Sequence, residues 1–186
     1  MSPPKLAIRQ PHRANLIDPQ SMRDVLPYQA NQLLARSGAP VLRWCEGLFG
    51  ITRRQWRVLA ALMETDSIRS SDLALIIELD RVRTSRALQE MEQRGLIQRK
   101  AEAGNARYVR VSVTEQGKAV YEGLWPMVKA HHQHLMDVFS KDELAQFEDM
   151  LARLQSRALE LRDSYDNLPK ANRHAGRAGR PAQPAQ

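Results

Sequence analysis

The chain has 186 residues, of which 42% are hydrophobic, and it carries a formal charge of +7 at neutral pH. This length and apolar content suit one folded domain with a real core, and the excess of basic residues favours nucleic acid or another anionic partner. A single cysteine excludes an intramolecular disulfide. Because the sequence shows neither a signal-peptide pattern nor an apolar run of membrane-spanning length, we expect a cytoplasmic protein with no membrane partner.

Both ends of the chain are predicted to be flexible and basic. Residues 1–24 contain four prolines and scattered basic residues without a hydrophobic period, which indicates an arm. Residues 167–186 indicate a disordered tail, because they hold no acidic residue to balance Lys170, Arg173, Arg177 and Arg180. We expect both segments to add attraction to phosphate without setting a register on nucleic acid.

The folded part, residues 25–166, is predicted to begin with two helices. The first extends from about Pro27 to Phe49, with a kink or break expected at residues 37–40, where glycine and proline occur, and Gly50 ends it. Thr52 and Gln55 then have the spacing of a capping box, which predicts the start of the second helix.

Two further helices are predicted to form a helix-turn-helix over residues 70–95. A serine in the Ser70-Ser71 pair is expected to cap the first, Asp80 to cap the second, and Gly95 to end it. The inner face of the second helix is predicted from residues that recur at three-residue steps: Val82, Ser85, Leu88 and Met91.

A β-hairpin, or wing, is predicted over residues 97–113, because residues 108–113 alternate like a half-exposed strand after a glycine-bearing connection. Thr114 is expected to cap a long helix that bends near Pro126. Ser140 and Glu143 form a second capping box, for a last helix with one apolar stripe. The predicted fold class is mainly α, in the order α-α-α-α-β-hairpin-α-α.

Most of the excess charge falls on the helix-turn-helix and its wing. Residues 81–110 hold eight basic and three acidic side chains, a surplus of five. Arginine pairs with guanine in the major groove, threonine meets phosphate or a thymine methyl, and an arginine at a hairpin tip reaches a narrow minor groove. The candidate DNA-contacting residues are Ser70, Arg81, Arg83, Thr84, Ser85, Arg86, Arg99, Lys100 and Arg107.

Several segments resemble the MarR family of winged helix-turn-helix regulators. Residues 51–59, Ile-Thr-Arg-Arg-Gln-Trp-Arg-Val-Leu, resemble the signature of its second helix. Arg107 lies seven residues before Thr114, as the wing arginine does in the family. The helix-turn-helix resemblance lies in Asp72-Leu73-Ala74, Leu79-Asp80-Arg81, Ser85-Arg86-Ala87-Leu88 and Arg94-Gly95-Leu96-Ile97.

The resemblance covers residues 26–161 and implies a homodimer with a helical dimerisation lobe. It further implies a repressor that binds a palindromic operator and dissociates from it when a small ligand binds. Two positions depart from the family's pattern. Asn105 stands where the family has an aspartate that braces the wing arginine, and Glu78 stands where the turn usually has a small residue, so the turn must close without the freedom of glycine.

The same resemblance implies an effector pocket between the dimerisation helices and the DNA-binding lobe. Aromatic walls with a few cationic or imidazole groups suit an aromatic carboxylate, such as a hydroxybenzoate. Tryptophans at helical spacing also fit the alternative of ordinary core residues. The candidate pocket residues are Arg43, Trp44, Trp56, Trp125, His131 and His134.

Three other functions remain open at this stage. A wing-mediated protein adaptor would lack a salt-dependent preference for a palindrome over random duplex. His131, His132 and His134 allow a metal-sensing regulator, although a polar helix surface also explains them. Cys45, near Arg43, is either an oxidant sensor or a small buried filler. The sequence carries no motif of a catalytic site, and no cofactor or bound metal is expected.

Overall fold

The computed structural model describes residues 13–79, 81–102 and 105–164, without the side chains of residues 81, 105–107 and 163. Contacts divide the chain into two compact units, one ending at Leu135 and the other beginning at Met136. In the described part of the chain, no helix combines the length and the apolar character that crossing a bilayer requires.

The helices and strands follow the predicted order, with one short strand added before the helix-turn-helix. The helices are α1 Leu26–Arg43, α2 Arg53–Met63, α3 Ser70–Ile76, α4 Arg81–Gln93, α5 Glu115–Met136 and α6 Lys141–Ser164. The strands are β1 Ile68–Arg69, β2 Ile97–Glu102 and β3 Asn105–Val113. This order confirms the mainly helical winged helix-turn-helix class.

Helix α1 is continuous through residues 37–40, so the helix is not split there. Pro40 lies inside the helix and only removes one amide donor from the ladder, a local loss that the helix tolerates. The irregularity comes one turn later, where Trp44–Leu48 form a π-helical turn. Gly50, with a φ of 60°, then ends the segment as predicted.

A loop before α1 closes on the carboxylate of Asp24, which is buried. Its Oδ1 accepts a hydrogen bond from the backbone N–H of Asn15 at 3.0 Å, and its Oδ2 accepts from the N–H and Oγ of Ser21 at 3.0 and 2.9 Å. Local hydrogen bonds therefore order residues 13–24 of the predicted arm. Residues 1–12 of the arm and the whole tail, residues 167–186, lie outside the described residues.

The capping box at the start of α2 is confirmed, and it also ties α2 to α4. Thr52 N–H donates to Gln55 Oε1 at 2.9 Å, while Gln55 N–H donates to Thr52 Oγ1 at 3.2 Å. The amide Nε2 of the buried Gln55 donates to Glu90 Oε2 at 3.1 Å. The side chain of Gln55 thus takes part in the capping box of α2 and also ties α2 to α4.

The three strands form an antiparallel sheet in the order β1-β3-β2. Ile68 pairs with Val111, and Ile97 pairs with Val113, which confirms the wing over residues 97–113. The sheet packs into a core whose burial drives the fold of the first unit. That core includes Val58, Leu59, Leu62, Leu73, Leu88, Met91, Leu96, Val111 and Leu124.

The second unit contains α6, whose predicted capping box is confirmed. Ser140 N–H donates to Glu143 Oε2 at 2.8 Å, and Glu143 N–H donates to Ser140 Oγ at 3.3 Å. The hydrogen bonds that the Glu143 carboxylate accepts from the N–H and the Oγ of Ser140 hold the pKa of this carboxyl below its ordinary value. Phe139 and Phe147 stack with ring centroids 5.9 Å apart. Exposed apolar side chains follow along α6: Phe147, Met150, Leu151, Leu154, Leu159 and Leu161.

Candidate nucleic-acid interface

The turn between α3 and α4 closes through Glu78, which has a φ of 50°. Glu78 N–H donates to the carbonyl of Leu75 and Leu79 N–H to that of Ala74, both at 3.1 Å. The left-handed region costs a residue with a Cβ about 1–2 kcal/mol. The helix-turn-helix therefore forms without a glycine, and its turn stores backbone strain.

Helix α3 is joined to the wing by the hydroxyl of Ser70. The N-cap is Arg69, which makes no side-chain cap, so the predicted serine cap is wrong. Ser70 Oγ donates instead to the carbonyl of Val109 in β3 at 3.2 Å. The serine is engaged by a strand 39 residues away, a contact that local spacing does not predict.

Helix α4 is rotated relative to the predicted inner face. Thr84 is 2% exposed and faces the core, so its predicted contact with phosphate or a thymine methyl is corrected. Val82 and Ser85, predicted to face inward, are exposed. The true inner face holds Thr84, Ala87, Leu88 and Met91, which recur at the three- and four-residue steps of an α-helix.

The outer side of α4 presents Arg83, Ser85 and Arg86 to solvent. All three were predicted to contact DNA, and the structure brings them together on two adjacent turns. Long guanidinium groups on an exposed helix of this kind fit the width of a major groove. The side chain of Arg81 lies outside the described residues.

A carboxylate clamp fastens the wing to the segment before α3. Glu102 in β2 accepts hydrogen bonds from Arg69 Nη2 at 2.8 Å and from Arg110 Nη1 at 3.3 Å. Arg110 Nε and Nη2 also donate to Ser67 Oγ at 2.8 Å and to the Ser67 carbonyl at 2.7 Å. The Arg69 guanidinium lies 4.6 Å from the centroid of the Tyr108 ring.

The charged groups of the clamp, Glu102, Arg69 and Arg110, interact electrostatically, and the pKa values of Glu102 and Arg69 are shifted. Hydrogen bonds and proximity to Arg69 and Arg110 hold the pKa of the Glu102 carboxyl below its ordinary value. Glu102 in turn raises the pKa of Arg69, which stays charged. We expect this network to fix the angle of the wing, because it joins β1, β2 and β3.

The remaining predicted wing residues occupy different positions. Arg99 Nη1 lies 3.5 Å from Glu92 Oε2, a partly exposed ion pair between β2 and α4. Lys100 is exposed and lies opposite Arg110 in the strand register. The side chain of Arg107 lies outside the described residues.

An open concavity of about 560 Å³ lies between α3, α4 and the wing. Four residues predicted to contact DNA line it, which are Ser70, Thr84, Ser85 and Arg99, and Tyr108 lines it as well. Hydroxyl and guanidinium donors on its wall suit the phosphate backbone of a duplex.

The predicted effector residues are only partly brought together. A cleft of about 270 Å³ between α1, α2 and α5 is lined by Trp56 and His131, with apolar walls from Leu34, Val41, Val128 and Leu135. Trp44 lies beside it, edge-on to His131 at 5.7 Å between ring centroids. Arg43 and His134 are exposed and do not line the cleft.

Trp125 also lies outside the cleft, at the end of an aromatic stack. Trp56 stacks on Tyr121 at 5.0 Å, and Tyr121 stacks on Trp125 at 5.9 Å. This arrangement gives Trp56 and Tyr121 a packing role, as the core alternative for the tryptophans allows.

The cations in the cleft come from α2 and were missed by sequence reasoning. Arg53 and Arg57 line it together with His131 and His132. A Cβ at Gly38 would lie 3.0 Å from Arg53 Nη1, so the absence of a side chain there admits the guanidinium. Arginines at positions i and i+4 of a helix share a face, which was the available signal.

Neither the oxidant-sensing nor the metal-sensing alternative gains support. Cys45 is fully buried, and burial raises the pKa of its thiol against a smaller opposing effect of Arg53, where Arg43 had been expected to act. A buried thiol with a raised pKa is a poor nucleophile. Among the described residues, no group of three or more His, Cys, Asp or Glu is placed to hold a metal ion.

Comparison with known proteins places similar chains among DNA-binding regulators. A family model described as the MarR family matches residues 49–107. The transcriptional regulator FarR of Neisseria gonorrhoeae is 26% identical over 126 residues, which cover 68% of this chain and 84% of FarR. The homoprotocatechuate degradative operon repressor of Escherichia coli is 26% identical over 101 residues, covering 54% of this chain and 68% of the repressor.

The fold matches solved structures of such regulators. A MarR-family transcriptional regulator from Silicibacter pomeroyi superposes with a TM-score of 0.65 and 27% identity, covering 74% of this chain and 92% of the other. The transcriptional regulator SlyA superposes with a TM-score of 0.66 and 26% identity, covering 73% and 96%. By their names, these proteins are transcriptional regulators.

Proposed function

We propose that this chain is a MarR-family transcriptional regulator, a cytoplasmic repressor whose homodimer binds a palindromic operator. A small aromatic carboxylate releases it. The observation that carries this proposal is the exposed basic side of α4 next to a braced wing, since such a pair of elements is how winged helices read DNA. No described feature favours the protein-adaptor alternative over it.

The proposal of a dimer is supported by the apolar side chains that α6 leaves exposed. A contiguous apolar surface on a soluble domain marks an interface. Two copies related by a twofold axis present two recognition helices, which match two half-sites of a palindrome about one helical turn apart.

The proposal of repression is supported by one relative, which by its name is the repressor of the homoprotocatechuate degradative operon. A dimer that covers an operator blocks transcription simply by occupying it. Reporter transcription from a promoter carrying the operator should therefore fall when the protein is present and recover with the effector.

The proposal of an aromatic carboxylate is supported by the cleft between α1, α2 and α5. Its volume of about 270 Å³ suits a single-ring compound, Trp56 offers an aromatic wall, and Arg53 and Arg57 offer positive charge. A guanidinium pairs bidentately with a carboxylate. A neutral aromatic compound lacks the carboxylate and cannot form this pair. His131 Nε2 donates to the Ser37 carbonyl at 2.8 Å, so this contact links α5 to α1 at the cleft.

Selection of bound sequences from random DNA tests the DNA-binding half of the proposal. We expect a palindromic consensus whose half-site spacing fits a dimer and whose binding weakens steeply with salt. Recovery of sequences without a consensus would contradict sequence-specific binding and favour the adaptor.

Repetition of the binding measurement with a panel of benzoates and neutral phenols tests the effector half. We expect acids to lower operator affinity in the wild type, and Arg53→Gln to abolish their effect. Arg54→Gln, a neighbouring exposed arginine outside the cleft, should keep it. The coupling must be reciprocal, so operator DNA should lower the affinity for the acid by the same factor. Independent binding of the two ligands would contradict effector release.

A further inference from the structure

Val82 places an apolar side chain on the exposed side of α4. It is 62% exposed on the first turn of α4, whereas Thr84, two residues later, is 2% exposed. The two side chains therefore lie on opposite sides of the helix. The methyl groups of Val82 are accessible on the side of α4 that also carries the exposed arginines.

The helical period places Val82 on the face of α4 that points away from the core. Residues four apart lie on one face of a helix, so Val82 and Arg86 are neighbours on the side opposite Leu88 and Met91. Arg86 is exposed and predicted to reach base edges, and Val82 lies one turn nearer the start of the same helix.

We propose that Val82 contacts the C5-methyl group of a thymine in the major groove and selects thymine at one position of each half-site. This inference rests on the proposed function. The thymine methyl is the one apolar group that a base pair presents in the major groove. Contact with a thymine methyl was predicted for Thr84 from the sequence, but the side chain of Thr84 is buried and does not reach a base. The proposal assigns this contact to Val82.

The charges around Val82 support DNA as the occupant of this site. Arg83 and Arg86 flank it on the exposed side of α4, within a segment that carries a surplus of five positive charges. An apolar protein surface would bury those charges at a high free-energy cost. A duplex meets the cations with phosphates and guanine edges while offering a methyl to the valine.

The test replaces each thymine of the selected operator in turn by deoxyuridine, which lacks only the methyl group. With the full-length wild type, one position in each half-site should weaken binding about fourfold when substituted, the effect expected from the burial of one methyl group. In Val82→Ala the same substitution should have no effect. Val138→Ala, which truncates an exposed valine of the second unit, should retain the full penalty.

The outcomes separate this inference from the proposed function. Wild-type binding that is insensitive to deoxyuridine at every position, or a penalty that persists in Val82→Ala, would overturn the role of Val82 while leaving sequence-specific binding intact. A wild type that does not distinguish the selected duplex from a shuffled one would overturn the proposed function itself, and the role of Val82 with it.

Discussion

The carboxylate of Glu102 accepts two hydrogen bonds from the guanidinium of Arg69, from Nε at 3.3 Å and from Nη2 at 2.8 Å. Glu102 lies at the end of β2 and Arg69 in the short strand that leads into α3. The pair therefore connects the wing to the helix-turn-helix. Fork-shaped pairing of this kind fixes geometry as well as charge.

Loss of the clamp should loosen the wing. In Glu102→Gln the side chain loses its negative charge and one of its two acceptor oxygens, so its hydrogen bonds to Arg69 and Arg110 weaken. We therefore expect faster hydrogen exchange of the backbone amides of β3 and weaker operator binding. Glu115→Gln, which removes a carboxylate paired with Lys118 on α5, should leave exchange in β3 unchanged. Equal protection of β3 in Glu102→Gln and wild type would show that the clamp does not position the wing.

The clamp also predicts a pH dependence. The pKa of Glu102 is lowered by Arg69 and Arg110, so the stabilisation is fully present above the ordinary glutamate pKa, about 4.3, and is lost as pH falls through the depressed pKa. Titration of the Glu102 carboxyl by NMR should give a midpoint below the ordinary value. The midpoint should rise in Arg69→Gln; an unchanged midpoint in that variant would contradict the assignment of the shift.

The strained turn predicts a stabilising substitution. Glu78→Gly removes the Cβ that disfavours a φ of 50° and should raise the free energy of unfolding by about 0.5–1 kcal/mol, after the greater chain entropy of glycine is deducted. Glu64→Gly is the matched control, because Glu64 has a φ of −88° and should lose about 0.5–1 kcal/mol. Chemical denaturation measures both, and a loss of stability in both variants would show that Glu78 is not strained.

The features that the sequence predicts correctly are local. The capping boxes at Thr52 with Gln55 and at Ser140 with Glu143, and the helix end at Gly95, each depend on residues within one turn. The strand at residues 108–113 likewise follows from a local pattern of residue types. The interactions that form these features are made by residues within each short segment, so the segment alone predicts them without knowledge of the tertiary structure.

The features that the sequence misses depend on distant contacts. The predicted inner face of α4 used a three-residue step, Val82, Ser85, Leu88 and Met91, and this step fits a helix as well as the observed inner face does. Only the packing of α4 against α2 and the sheet decides which face is buried. Glu102 and Arg69 are 33 residues apart, and the hydroxyl of Ser70 is taken by Val109 in β3. The cations of the cleft likewise depend on how α1 and α5 meet α2.

Cys45 should be unreactive in the folded protein. Its thiol is fully buried and has a raised pKa, so the thiolate that reacts with alkylating agents is scarce. Iodoacetamide should modify Cys45 slowly under native conditions and rapidly in denaturant, as mass spectrometry can follow. Rapid native modification that also releases operator DNA would restore the oxidant-sensing alternative.

The affinity ratio between the selected palindrome and a shuffled duplex of equal composition tests the central claim most directly, measured for the wild type and for Arg86→Ala. We expect a wild-type ratio of about 10³ or more, and a loss of about 1–3 kcal/mol of specific binding in Arg86→Ala. Arg153→Ala, which truncates an exposed arginine of α6, should keep the wild-type ratio. A wild-type ratio near one, or an Arg86→Ala ratio equal to that of the wild type, would contradict the reading of DNA by the outer face of α4.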